Sequence, residues 1–345
     1  MKVGNREISK NKPVFIIAEA GVNYNNNLDV AYKMIDVAYN AGADAIKFQT
    51  WITDKMQLKN SKKPNYQKDI KIKTYYQTIK ELEPSLIDQK KLFERCKKRG
   101  IVFLSTPYDE KSVDFLDELG VVGFKISSSD LTNHLLLRHI TKKKKPIFLS
   151  TGLSTIKDVQ KAVQLIKNEK MLKNIILIQT TSNYPTPHND VNLDVIPRFN
   201  EIFQVPVGFS DHTVDHIASL GAVALGACVL EKHFTLNKKF KGPDQKASLE
   251  PRELQDWIKH VRIMEECIGN SSKSITNSDK KNLSMRKILV IKPISKGSRI
   301  DKNTLTAMRG NINGILPLEE NIRKIIGKKI KVNLKKPTQF SWKMI

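Results

Sequence analysis

Eight short apolar runs in the first 270 residues constrain what this chain can fold into more than any other feature. They are Val14–Gly21, Asp44–Thr50, Val102–Pro107, Gly123–Ser128, Pro146–Gly152, Ile175–Thr181, Val205–Asp211 and Cys228–Thr235. Each is rich in Val, Ile, Leu and Phe, without the polar alternation of a strand that keeps one face wet. Strands covered on both faces read this way, as in a parallel sheet. Between them, Leu28–Asn40, Lys111–Leu119, Ile156–Lys167 and His216–Leu225 carry the helical period. About eight βα units in about 250 residues predict an α/β fold of the TIM (β/α)8 barrel type. An open doubly wound sheet would call for a Gly-rich dinucleotide turn after the first run, and none follows it.

The polar residues repeat at one register. The runs end in Glu19, in Lys47 and Gln49, in Ser105 and Thr106, and in Lys125, Ser127 and Ser128. The series continues with Ser150-Thr151-Gly152, Thr180-Thr181-Ser182, Ser210-Asp211-His212 and Glu231-Lys232-His233. C-terminal strand ends of a barrel surround one pocket, so these groups are expected to converge there. Any one of them alone reads as a surface residue. All of them at one register do not.

Three readings follow. His212 and His233 close neighbouring strands, and two neutral imidazoles make an incomplete shell for a divalent metal that also binds substrate. The bland alternative is two hydrogen-bonded core histidines. Lys47 and Lys125 lie inside apolar strands, where an ammonium needs an anion. That anion is either a phosphate or carboxylate helped by the Ser105, Thr106, Ser128 and Ser150 hydroxyls, or a buried carboxylate such as Glu19 or Asp130. A Schiff-base lysine is a third option. Glu19 either orients a neighbouring group or handles a sugar hydroxyl or a water.

The net charge is 59 − 35 = +24. A strongly basic chain suggests nucleic acid, but these lysines are scattered and no aromatic-interleaved basic motif accompanies them. The expectation is therefore no nucleic-acid partner, with a positive field that helps steer an anionic substrate. No run of about 18 apolar residues is present, and Met1 to Asn11 is polar, so no membrane association and a cytoplasmic location are expected. Cys96, Cys228 and Cys267 are too widely spaced for a metal pair and read as reduced thiols, with Cys228 a small buried apolar group.

Two segments break the βα rhythm. Trp51 to Pro84, Lys-rich and carrying Tyr66, Tyr75 and Tyr76, reads as an insertion over the barrel mouth and a candidate lid. The expected domains are a catalytic barrel over 1–268, a polar linker over 269–284 and a small domain over 285–345. The last contains strand-like runs at Ile288–Ile291 and Lys329–Val332 and is small enough to need a docking partner.

Ordered motifs now join these features. Ile17-Ala18-Glu19-Ala20-Gly21-Val22-Asn23, Ile46-Lys47-Phe48-Gln49-Thr50, Leu104-Ser105-Thr106-Pro107 and Lys125-Ile126-Ser127-Ser128 come first. Leu149-Ser150-Thr151-Gly152, Tyr184-Pro185-Thr186-Pro187, Gly208-Phe209-Ser210-Asp211-His212-Thr213 and Glu231-Lys232-His233-Phe234-Thr235-Leu236 follow. Gly242-Pro243-Asp244 and Ala247-Ser248-Leu249-Glu250-Pro251 complete the series. Together they resemble the N-acetylneuraminate (sialic acid) synthase family over essentially the whole chain. The last stretch leans toward the N,N'-diacetyllegionaminate synthase branch.

The resemblance implies a nonulosonic acid synthase, a phosphoenolpyruvate-dependent transferase acting on an N-acyl amino hexose. Lys47, Thr106, Lys125, Ser128, Ser150 and Ser210 would cradle phosphoenolpyruvate. His212 and His233 would hold a divalent metal, Mn2+ or Mg2+. Glu19, Tyr184 and Asp244 would contact the amino sugar. Ile294-Ser295-Lys296-Gly297 and Met308-Arg309-Gly310 resemble the family's antifreeze-like (SAF) domain. It would be swapped in a homodimer, with Arg309 reaching the partner's pocket. Competing readings are a related synthase acting on a sugar phosphate and a non-catalytic carbohydrate-binding barrel.

Four positions depart from the family pattern. Asn23-Tyr24-Asn25 replaces Asn-His-Asn, and Ser128-Ser129-Asp130 replaces Ser-Gly-Glu. Ser182 stands where sialic acid-type members carry Asn, and Gln245 stands where legionaminic acid synthases often carry His.

Overall fold

The computed structural model describes residues 1–61, 74–310 and 313–345. They fall into two compact units, residues 1–269 and 270–345. In the first, eight parallel strands form one sheet: β1 (Phe15–Gly21), β2 (Ala45–Thr50), β3 (Val102–Pro107), β4 (Phe124–Ile126), β5 (Ile147–Ser150), β6 (Ile175–Gln179), β7 (Val207–Asp211) and β8 (Val229–His233). The order β3-β2-β1-β8-β7-β6-β5-β4, with its two ends adjacent, is a TIM barrel.

The pleat explains why the runs lack alternation. Along each strand one parity points into the barrel and the other toward the helices. Phe15, Ile17, Ala45, Leu104, Phe148, Ile176, Ile178 and Val229 fill the interior, where Val3 and Ile8 from an N-terminal hairpin join them. The Phe15 and Phe148 rings stack within it, 6.1 Å between centroids. The opposite parity, including Ile16, Ile46, Phe103, Leu149, Leu177 and Phe209, packs against helix faces such as Met34 and Ile35, Val159 and Ile166, and Leu254 and Trp257. Fully burying one such side chain contributes about 1.5–3 kcal/mol, so both faces of each strand had to be apolar.

The helices are closed by local chemistry. Ser85 caps the helix Leu86–Arg99, and Gly100 ends it at φ 84°, a conformation open to glycine at little cost. At Gly208 the constraint is space. A Cβ there would lie 2.7 Å from Ile178 Cδ1 and 2.8 Å from the Val229 carbonyl oxygen.

Several sequence expectations shift. β4 stops at Ile126 rather than Ser128, because Ser128–Asp130 coils into a 3-10 turn whose Ser129 amide bonds the Ser127 hydroxyl at 3.4 Å. The polar linker contains a short helix, Asn277–Lys281, capped reciprocally by Thr276 and Asp279. The second unit has its own core of Leu289, Ile291, Ile300, Ile325, Ile330 and Phe340. Its sheet is β9 (Lys287–Ile291) between β10 (Leu305–Arg309) and β11 (Thr338–Gln339). Lys329–Val332 is not a ladder strand: Ile330 is buried, but Lys329 makes only an isolated bridge to Arg299. Within the Trp51–Pro84 segment, Thr53–Met56 and Tyr75–Glu81 are helical, and Tyr66 lies outside the described residues. Cys96 and Cys228 are buried free thiols, and Cys267 is an exposed one. Among the described residues no helix is long and apolar enough to cross a membrane.

The packing at Gly208 gives the first prediction. Gly208→Ala forces a methyl onto β6 and β8 and lowers stability by about 1–3 kcal/mol. Chemical unfolding at unchanged m-value measures it; an unaltered midpoint contradicts the packing described.

Candidate active site

The inward parity that carries Phe15, Ile17, Ala45 and Leu104 carries polar groups two residues further on. Glu19, Lys47, Thr106, Ser150, Ser210 and Glu231 therefore rise from the apolar interior into one cavity of about 820 Å3 at the C-terminal strand ends. Register sets the neighbours: His233 lies beside Glu19, Glu19 beside Lys47, and Glu231 beside Ser210.

A chain of charge spans the cavity floor. Lys47 Nζ is 2.8 Å from Glu19 Oε2 and 3.7 Å from Glu231 Oε1, and donates to Thr106 Oγ1 at 3.1 Å. Lys125 Nζ donates to Ser150 Oγ at 2.7 Å and lies 3.6 Å from the same Glu231 oxygen. Gln49 donates to Glu19 Oε1 at 3.0 Å, and Ser210 donates to Glu231 Oε1 at 3.2 Å. All four ionisable groups are buried. Burial and the Glu231 charge push Glu19 up to about 7, against the pull of Lys47. Burial also opposes the Glu231 charge, yet Lys125 and Lys47 hold it below the usual carboxylate range. Burial lowers Lys125, whereas in Lys47 the Glu19 and Glu231 charges outweigh burial and raise it.

The histidines stand at the rim, 5.5 Å between ring centroids. His212 Nδ1 is 2.7 Å from the Thr181 carbonyl, which only accepts, so Nδ1 carries the proton and Nε2 keeps its lone pair. Burial lowers His212 to about 4 and His233 well below its usual range, so both rings are neutral near pH 7. His233 Nδ1 is buried without a hydrogen-bond partner among the described residues, 3.8 Å from Asp244 Oδ2. Burial raises the Asp244 carboxyl to about 6. The Tyr184 ring lies 4.1 Å from the His212 ring and 5.4 Å from that of His233. Two neutral imidazoles, one with an orphaned nitrogen, could hold a divalent cation. Among the described residues no group of three His, Cys, Asp or Glu side chains could do so, so water or substrate would complete the shell.

Glu19, Lys47, Thr106, Lys125, Ser128, Ser150, Tyr184, Ser210, His212, His233 and Asp244 all line this one cavity. Arg309 belongs to the second unit, where it ends β10, exposed, with Lys287 as its register partner. The buried carboxylate considered for Lys47 is there as Glu19, but Asp130 is not the partner of Lys125; it accepts from Asn133 at 3.1 Å and Ser129 at 3.3 Å. Sequence reasoning placed Glu231 in a strand-end cluster without giving it a role, though it bridges both lysines. Its signal was parity, since Glu231 shares the inward face with His233 while Lys232 takes the other. Trp51, Lys55, Met56, Tyr75, Ile79 and Leu82 of the insertion also line the cavity.

Fold and site together define a TIM-barrel enzyme with a pocket of buried cations, hydroxyls and neutral imidazoles. Residues 34–273 match the NeuB family. The chain is 42% identical over 327 residues to the N,N'-diacetyllegionaminic acid synthase of Campylobacter jejuni, covering 93% of this chain and 98% of that one. It is 38% identical over 354 residues to the enzyme of the same name from Legionella pneumophila, covering 99% of each. The crystal structure of N-acetylneuraminic acid (sialic acid) synthetase from Leptospira borgpetersenii in complex with citrate shares the fold at a TM-score of 0.73 and 32% identity, covering 82% and 94% of the two chains. The chain belongs to the NeuB family.

The buried Glu19 carboxyl yields a spectroscopic prediction. In the ligand-free protein its protonated C=O stretch is present at pH 5.5 and disappears as pH rises through about 7. Infrared difference spectra of wild type against Glu19→Gln test this; a band already lost below pH 5 contradicts the assigned environment.

Proposed function

We propose that this enzyme condenses phosphoenolpyruvate with an open-chain N-acyl amino hexose and water, forming a nonulosonic acid and inorganic phosphate by C–O cleavage. The observation that carries the reading is the convergence of Lys47 and Lys125, each on a hydroxyl and both on Glu231, in the cavity that holds His212 and His233. Two ammonium groups held 3.7 and 3.6 Å from one carboxylate oxygen suit a small dianion. Thr106, Ser128, Ser150 and Ser210 add hydroxyls to the same cavity.

In this reading the lysines and hydroxyls fix phosphoenolpyruvate so that its C3 faces the sugar aldehyde, converting an encounter into positioning. His212 and His233 would hold Mn2+ or Mg2+, which when bound supplies Lewis-acid polarisation of the aldehyde oxygen. The enol π electrons form the C–C bond, and the aldehyde oxygen takes a proton. The C2–O bond to phosphate breaks, as C2 becomes a carbonyl and its hydroxyl proton leaves with the phosphate, after water has added at C2 and given up a proton. A carboxyl near pH 7 in its titration suits that proton, and Glu19 is the group so placed. Tyr184 and Asp244 stand beside the histidines, where the amino sugar would lie.

Ser182 and the Ala247-to-Pro251 run favour a 2,4-diacetamido-2,4,6-trideoxy hexose over N-acetylmannosamine, as do relatives named for legionaminic acid. The second unit, by its resemblance an SAF domain, would pair two chains in a swapped homodimer. Arg309 would then serve the partner's pocket, where a guanidinium can pair with an acyl carbonyl or a carboxylate. A cytoplasmic location fits soluble sugar and phosphoenolpyruvate substrates.

Three outcomes test the reading. Chelation abolishes phosphate release and Mn2+ or Mg2+ restores it; full turnover in the metal-free protein rejects the metal assignment. Lys47→Ala raises the phosphoenolpyruvate KM about ten- to a hundred-fold, the value of a lost charge-assisted contact of about 1.5–3 kcal/mol. An effect on the sugar KM alone rejects the clamp. Finally, kcat/KM is higher for the diacetamido sugar than for N-acetylmannosamine, and the reverse order returns the enzyme to the sialic acid type.

A further inference from the structure

Behind the histidines lies a second ion pair that the pocket does not use. Lys232 Nζ is 3.0 Å from Asp211 Oδ2, with both side chains fully buried, and neither residue lines the cavity. The pair lies on the helix side of the barrel, because Asp211 and Lys232 have the parity opposite to Ser210, His212, Glu231 and His233. They are register partners across β7 and β8. Each is the chain neighbour of a histidine.

The pair also gathers the turn that follows β7. Asp211 Oδ1 accepts from the Thr213 amide and the Thr213 hydroxyl, both at 2.8 Å. Its Oδ2 accepts from Ser219 on the helix Ile217–Ala224. Lys232 Nζ donates to the Thr213 carbonyl at 2.7 Å. His212 therefore sits between two residues tied to the same ammonium, while His233 follows the residue that bears it. A buried ion pair seldom outperforms an apolar pair of equal volume for stability, but it is directional. A one-residue slip of β8 against β7 would turn His233 toward the helices and bring Lys232 into the pocket, away from Asp211. The bonds just described are satisfied only in the observed register.

We propose that the Asp211–Lys232 pair, with Thr213 and Ser219, is a positioning device that holds His212 and His233 at the separation a shared divalent cation requires. This inference rests on the metal reading of the two histidines. Its chemistry resembles that of any group that fixes a ligand from behind: removing it leaves the imidazoles present but wrongly spaced.

The test is Mn2+ binding to the full-length protein, followed by electron paramagnetic resonance, alongside the melting temperature of the metal-free protein. Lys232→Met weakens Mn2+ binding about ten- to a hundred-fold, and Lys232→Arg restores most of it. Thr213→Val and Ser219→Ala, which keep the ion pair, give smaller losses in the same direction. They carry the test if Lys232→Met does not fold. A folded Lys232→Met, or in its place folded Thr213→Val and Ser219→Ala, that melts lower yet binds Mn2+ like wild type overturns the proposal and leaves a purely structural pair. If wild type binds no Mn2+, or if His212→Ala leaves binding unchanged, the metal reading itself fails and this inference falls with it.

Discussion

The cost of burying Lys47 and Lys125 organises the rest of this enzyme. Removing an ammonium from water costs several kcal/mol unless a counter-charge and further hydrogen bonds come with it. Here Glu231 serves both lysines, Glu19 serves Lys47, and Thr106 and Ser150 accept one bond from each. That arrangement needs six strands brought to common height, because the groups come from β1, β2, β3, β4, β5 and β8. A barrel with every strand parallel and every pleat in step supplies this. The apolar interior below, with Phe15 and Phe148 stacked, keeps water from entering beneath the charges.

The same burial divides the carboxylates by role. Glu231, facing two ammonium groups, stays ionised, whereas Glu19, facing one and repelled by Glu231, is lifted to about 7. Two carboxylates in one cavity thus differ in proton affinity through position alone. On the proposed reading an arriving dianion competes with Glu231 for the lysines, and the proton on Glu19 is the group that can respond. The imidazoles stay neutral beside these charges because burial lowers both, and neutral is the state in which they can ligate a cation.

Much of the fold was legible because both faces of each strand are covered, which leaves continuous apolar runs at countable spacing. The strand-end register likewise announced the pocket, since Glu19, Lys47, Thr106, Lys125, Ser128, Ser150, Ser210, His212 and His233 lie in one cavity, whereas Tyr184 and Asp244 entered only through the resemblance. What was not legible depended on parity at the strand ends and on local hydrogen bonding. Glu231, Lys232 and His233 are three adjacent polar residues, and a linear reading does not say that Lys232 turns away to Asp211. Ser127 and Ser128 looked like the end of the strand because Ile126 preceded them, yet the Ser127 hydroxyl accepts the Ser129 amide and the chain coils instead. Lys329–Val332 alternated like a strand but found no continuous partner, a property of the rest of the unit rather than of those four residues.

The four departures from the family pattern separate on the same physical grounds. Tyr24 points into the helix-side core, edge-on to Phe48 at 5.7 Å, and its hydroxyl accepts from Gln89 at 3.4 Å. It replaces a histidine at a place that does not line the cavity. Gln245 is buried as a brace, its Nε2 donating to the Asn23 carbonyl at 3.1 Å, while the neighbouring Asp244 meets the pocket. Ser129 needs no glycine, since the 3-10 turn holds it without a positive φ. Ser129, Asp130 and Ser182 do line the cavity, and Ser182 packs so near Gly152 that a Cβ on that glycine would lie 2.6 Å from its hydroxyl. An asparagine at 182 would have to find room for its longer amide beside that backbone. Of the departures, then, those at 24 and 245 adjust packing behind the site, and those at 129, 130 and 182 alter the surface a substrate meets.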